Sequence, residues 1–183
     1  GRMNTTPILH VVENAADLVS KAADFIVSCA REAIEQRGRF VVALAGGGTP
    51  KPVYEHLAMP EWAGCIEWEK THVFFGDARC VPPADEQSNF RMAREALLER
   101  VPLPEANIHR MLGEIDPEAA ALASEQELKG LFRCERPSLD LVLLGIGADG
   151  HTASLFPGTA AVRERERLVV GQYVDKLGAW RVT

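Results

Sequence analysis

Apolar residues at Leu18, Ala22, Phe25, Ile26, Cys29 and Ala33 fall at helical spacing, which predicts a long helix with one face turned to a core. Gly38 stands where that helix should stop. Residues 40–45 then form an unbroken apolar run with β-branched members, the pattern of a strand buried on both faces. The string Gly46-Gly47-Gly48-Thr49-Pro50 follows, and after it a short helix through Tyr54 and Leu57. The pattern repeats. A strand over residues 71–75 ends at Gly76-Asp77, and a loop rich in Pro, Asp and Ser leads to Ser88. Ser88 is a good N-cap for a helix carrying Met92, Ala96 and Leu97.

Beyond it, residues 107–111 read as a strand and the stretch after Pro117 as a helix to about Leu131. Residues 139–144 are the clearest buried strand, ending at Gly145, and residues 168–171 read as a further one. Residues 8–12 alternate weakly and read as a short first strand, and the terminal Trp180-Arg181-Val182-Thr183 reads as a strand beginning. Residues 163–167 alternate in charge sign, the mark of a solvated turn or helix face. Strands that are continuous apolar runs, alternating with helices, predict one α/β domain over residues 1–183 with a mainly parallel sheet.

Composition narrows the class. An apolar fraction of 46% is ordinary for a globular chain and argues against disorder. The longest apolar runs are too short to cross a bilayer, and no signal-like segment opens the chain. Gly1 and Arg2 precede Met3 and read as residues added ahead of a native start. The ending suggests that native C-terminal sequence is lacking. The formal charge of −6 disfavours a general nucleic-acid binder, so any anionic substrate must be captured by a local cluster of cations and backbone N–H groups. Cys29, Cys65, Cys80 and Cys134 are scattered, with no C-x-x-C pair and no zinc spacing. Reduced thiols in a cytoplasmic protein are the expectation.

In parallel sheets, ligands bind beyond the carboxyl ends of the strands. Three informative segments have that position: residues 46–50, 76–81 and 145–158. The first exposes backbone N–H groups that can cradle an oxyanion, although a plain tight turn would look the same; it lacks the Gly-Lys-Ser/Thr of a P-loop. The second offers Asp77 and Arg79, a carboxylate and a donor fork flanking Ala78, where a structural ion pair is the blander option. The third, Gly145-Ile146-Gly147-Ala148-Asp149-Gly150-His151, fits G-x-G-x-x-G. A dinucleotide fingerprint should open a helix in the first β-α unit. Here Pro157-Gly158 interrupts any helix, and the motif lies late. His151 is the more telling residue, since imidazole titrates near about 6.5 and exchanges protons at neutral pH. A buried structural histidine is the usual alternative, but a glycine-rich turn at a sheet edge favours a general base.

The strings Leu44-Ala45-Gly46-Gly47-Gly48-Thr49-Pro50, Phe75-Gly76-Asp77-Ala78-Arg79 through Ser88-Asn89-Phe90, and Gly145 through His151-Thr152-Ala153-Ser154-Leu155-Phe156-Pro157-Gly158 resemble the signature blocks of 6-phosphogluconolactonases, in the same order and spacing. The resemblance runs from about residue 8 to the end. It implies an α/β, Rossmann-like open, mainly parallel sheet with helices on both faces, as in the glucosamine-6-phosphate deaminase-like fold. It further implies no cofactor, no metal, and the second step of the oxidative pentose phosphate pathway. Its substrate is a small phosphorylated sugar lactone, with neither nucleic acid nor membrane as partner. Lys176 and Arg181 resemble a late family segment that binds the substrate phosphate. The expected assignment makes His151 the base, with Asp77 and Asp149 as further catalytic candidates. Gly46, Gly47, Gly48, Thr49, Arg79, Lys176 and Arg181 hold substrate and phosphate. Two departures are visible: the family reads Asp-Glu-Arg in the second block, and here the middle residue is Ala78, and the chain ends some tens of residues before the family's usual terminus.

Two rivals share the fold. An amino-sugar-phosphate isomerase or deaminase continues after its histidine with Asn, Glu and Pro, whereas this chain has Thr152-Ala153-Ser154. A non-catalytic sugar-phosphate binder would account for Ala78, but Asp77, Arg79 and His151 are all present.

Overall fold

The computed structural model describes residues 15–46, 50–76, 78–79, 85, 88–112, 114–132, 139–143, 171–174 and 179–182. Helix α1 (Ala15–Arg37) ends at Gly38, whose φ of +79° is the left-handed conformation that only glycine adopts without strain. Strand β1 (Phe40–Leu44) is buried at all five positions. Helices α2 (Lys51–Leu57) and α3 (Pro60–Ala63) lead to β2 (Thr71–Phe75), which pairs with β1 in parallel. Strand β4 (Leu141–Val142) pairs with the other side of β1, also in parallel, giving the order β2-β1-β4.

Alternation along β1 and β2 divides the core between the two sheet faces. Phe40, Val42, Leu44, Val73 and Phe75 pack with α1, α2 and α4 (Asn89–Ala93). Val41, Ala43 and Phe74 face the other way, toward Leu128, Leu131 and Phe132 of α5 (Pro117–Phe132). The expected parallel sheet with helices on both faces is therefore present. Ser88 caps α4 as anticipated, its Oγ accepting from the Arg91 N–H at 3.2 Å. The helix then widens into a π turn over Arg94–Leu98, closed by a Glu99 N–H to Arg94 carbonyl bond of 3.0 Å.

Four details differ from the sequence expectation. A second, antiparallel sheet of order β3-β6-β5 joins β3 (Ala78–Arg79), β5 (Gly171–Val174) and β6 (Ala179–Val182). Residues 78–79, expected in a loop, thus pair as a strand; of the strand expected at 168–171, only Gly171, the first residue of β5, lies among the described residues. Residues 107–111 make only one parallel bridge, Ile108 to Val73, after a 3₁₀ turn at Glu105–Asn107. The chain then turns away, and Met111 packs with Ala120 and Ala121 of α5. The deep burial expected of residues 139–144 is not met at the described residues 139–143, where Val142 is 43% exposed. Among the described residues β4 has a neighbour on one side only. The expected strand at residues 8–12 and the charged segment at 163–167 lie outside the described residues. No helix among those described is long and apolar enough to cross a membrane. Cys29 and Cys65 are free thiols, and burial pushes the Cys29 thiol upward.

Candidate functional site

Because β2, β1 and β4 are adjacent and parallel, the chain leaves all three at the same edge of the sheet. Those exits are the starts of the three segments singled out in the sequence. The Gly76 N–H donates to the Leu44 carbonyl at 3.0 Å, tying the exits of β1 and β2 together. On the other flank the Leu143 N–H donates to the Ala43 carbonyl at 3.0 Å, so β4 follows β1 almost to its end. From β1 the chain crosses to β2 on one side and later returns to β4 on the other. That reversal of direction marks the position, beyond the carboxyl ends of the strands, at which open α/β sheets bind ligands.

The glycine segment is built in at its start. Gly46 lies against Asn89 so closely that a Cβ there would sit 2.0 Å from the Asn89 Oδ1. Glycine is thus required by close approach of a side chain, and Asn89 is itself buried at the first turn of α4. One residue earlier, the Ala45 N–H donates to the Tyr54 hydroxyl at 2.9 Å, and that hydroxyl donates to the Ala45 carbonyl at 2.7 Å. Tyr54 is fully buried, and burial holds its phenol far above the ordinary range. The sequence places Tyr54 in a short helix and Asn89 in a motif string, and gives neither a role at this edge. The available signal is an aromatic with a polar tip, which when buried needs a partner.

Of the expected site residues, Gly46 opens the glycine segment at the sheet edge, and Arg79 and Arg181 are direct register partners across the β3–β6 ladder. Two residues expected on the phosphate thereby come together from distant parts of the sequence. Gly47, Gly48, Thr49, Asp77, Asp149, His151 and Lys176 lie outside the described residues. Among the described residues no group of three or more His, Cys, Asp or Glu side chains is arranged to hold a metal ion.

Comparison with known proteins agrees with this geometry. The family model for glucosamine-6-phosphate isomerases/6-phosphogluconolactonase matches residues 13–183. The 6-phosphogluconolactonase of Synechocystis sp. is 46% identical over 167 residues, 89% of this chain and 68% of that protein. That of Nostoc sp. is 44% identical over 165 residues, 88% of this chain and 67% of that protein. The chain thus spans about two thirds of these relatives' lengths. Among solved structures, 6-phosphogluconolactonase from Trypanosoma cruzi superposes with a TM-score of 0.84 at 31% identity, covering 99% of this chain and 75% of that one. The Thermotoga maritima enzyme gives 0.82 at 31% identity, covering 95% and 75%. The chain belongs to the family of glucosamine-6-phosphate isomerases and 6-phosphogluconolactonases, on its 6-phosphogluconolactonase branch.

Proposed function

We infer that the protein hydrolyses 6-phospho-D-glucono-1,5-lactone to 6-phosphogluconate, the lactone-opening step of the oxidative pentose phosphate pathway. The observation that carries this reading is the strand order β2-β1-β4, which brings the exits of the three signature segments to one sheet edge. The substrate is a cyclic ester with a phosphate tail, so the site has to grip a dianion and stabilise charge on a carbonyl oxygen.

In the proposed mechanism His151 takes a proton from water as the water oxygen attacks the lactone carbonyl carbon. The carbonyl π pair moves onto oxygen, and N–H groups of the Gly46-Gly47-Gly48 segment stabilise that oxyanion. The oxyanion collapses, the bond from carbon to ring oxygen breaks, and His151 returns its proton to the ring oxygen. The carboxylic acid formed ionises at neutral pH, so each turnover releases acid. Asp77 or Asp149 orients the imidazole. Arg79, Lys176 and Arg181 hold the phosphate, with Thr49 as a further donor. The register of Arg79 opposite Arg181 supports this assignment.

Acid release from freshly prepared 6-phosphogluconolactone tests the reading. A rate far above the spontaneous opening is expected, together with no ammonia from glucosamine 6-phosphate. Ammonia release without lactone hydrolysis would assign the chain to the deaminase branch. Thermal stabilisation by 6-phosphogluconate with no turnover would make it a binder.

A further inference from the structure

The glycine segment that the lactonase reading places around the substrate is closed at its base by one side chain. Its upstream end is Ala45 and its downstream end is Pro50, the first residue of the turn into α2. Tyr54 holds both. Its backbone N–H donates to the Pro50 carbonyl at 3.1 Å, and its hydroxyl meets the Ala45 N–H and carbonyl at 2.9 and 2.7 Å. The Ala45 N–H belongs to the peptide plane entering the segment and its carbonyl to the plane shared with Gly46. A single buried oxygen therefore fixes two successive peptide planes, at the point where the β1–β2 ladder has ended at Leu44 and Phe75. The Asn89 side chain closes the same point by filling the space beside Gly46.

We propose that Tyr54 is a positioning residue for the reaction: its hydroxyl fixes the peptide plane shared by Ala45 and Gly46, and so the aim of the Gly46 N–H offered to the lactone oxyanion. Glycines supply conformational freedom. A peptide plane entering a glycine therefore keeps its aim only where something outside it holds that plane, and preorganisation is what gives such a donor its catalytic effect. Val53, the buried neighbour on the same helix, has no polar side-chain atom with which to hold Ala45 and serves as the control. The proposal rests on the lactonase reading.

Tyr54→Phe keeps the ring and removes the oxygen. It is expected to lower kcat about 10- to 100-fold with KM little changed, the signature of misaimed transition-state donors. Amide exchange at Ala45 should accelerate while Val41 to Ala43 remain protected. Val53→Ala, which weakens the same helix, should keep kcat. Equal kcat losses in both variants would reduce Tyr54 to a packing residue and overturn the proposal, as would full turnover in Tyr54→Phe with the Ala45 amide exposed. Should Tyr54→Phe not fold, Gly46→Ala disturbs the same segment from the Asn89 side and should give the same kcat-selective loss. Full turnover there would equally overturn the proposal. An inactive wild-type chain would overturn the lactonase reading and this proposal with it, whereas an active wild type with an unimpaired Tyr54→Phe overturns this proposal alone.

Discussion

At the scale of single residues, each group in the proposed site has one task, and the tasks separate in kinetics. A cation that grips the phosphate binds ground state and transition state alike, so its loss raises KM and leaves kcat nearly intact. Arg181→Ala is expected to behave this way. Because Arg79 is its register partner, the two should be coupled, with the double variant departing from the sum of the single ones. Initial rates across a lactone concentration series for both singles and the double check this. Strict additivity would separate the two arginines functionally. Asp140 is a contrasting residue, structural by every contact. Its Oδ2 accepts from the Val41 N–H at 2.8 Å, and its own N–H donates to the Val41 carbonyl at 2.9 Å. Its Oδ1 meets Arg37 at 2.7 Å. Asp140→Ala strands a buried N–H and should cost about 1–3 kcal/mol, read as a shift of the denaturant midpoint. Arg37→Ala should cost much less, since that guanidinium is 39% exposed and solvent screens such pairs.

At the scale of elements, the contact between β2 and α5 carries a pH dependence. His72 Nδ1 and His109 Nε2 lie 3.1 Å apart, a hydrogen bond that requires one neutral ring as acceptor. His109 also stacks on Phe74 with centroids 4.3 Å apart, and its Nδ1 lies 3.8 Å from Glu127 of α5. Burial lowers the pKa of both histidines below the ordinary 6.5, and for His72 the His109 ring and Arg39 add to it. The unfolded chain therefore binds protons that the folded one refuses in the window below 6.5. Stability is whole above that pH and falls as pH drops through the window. Burial raises the Glu127 carboxyl, which acts in the opposite sense from 4.5 upward, one group against two. The melting temperature should fall from about pH 7 to about pH 5.5, and the slope should flatten in a His72→Gln/His109→Gln double variant. An unchanged slope in that variant would place the acid sensitivity elsewhere. The elements most legible in the sequence are those whose burial is symmetric or whose ends are chemically marked. β1 reads as an unbroken apolar run because both faces are covered, and Gly38 and Ser88 bound α1 and α4. Of the β3–β6–β5 sheet only β6 is legible, as the strand read at Trp180 onward. The sheet's strands are short, and the pairing of Arg79 with Arg181 joins segments remote in sequence, so no local pattern encodes it. The brief bridge at Ile108 misleads for the opposite reason: a local apolar pattern whose partner is shared for one residue only.

At the scale of the whole molecule, function follows from strand order. Three parallel neighbours deliver three chemically distinct segments to one edge, and the antiparallel sheet adds two arginines in opposed register. The motifs are legible as strings along the chain, whereas their convergence depends on which strand lies between which. Placing β1 in the middle makes the glycine segment central, with the Asp-Ala-Arg segment leaving β2 on one side and the segment bearing His151 following β4 on the other. In the proposed reaction this edge turns over a lactone through one imidazole. The most direct measurement compares acid release by the wild-type chain and His151→Ala across a 6-phosphogluconolactone concentration series. In that variant kcat is expected to fall about 10²- to 10⁴-fold while KM stays near its wild-type value. Wild-type turnover in a folded His151→Ala variant would contradict it.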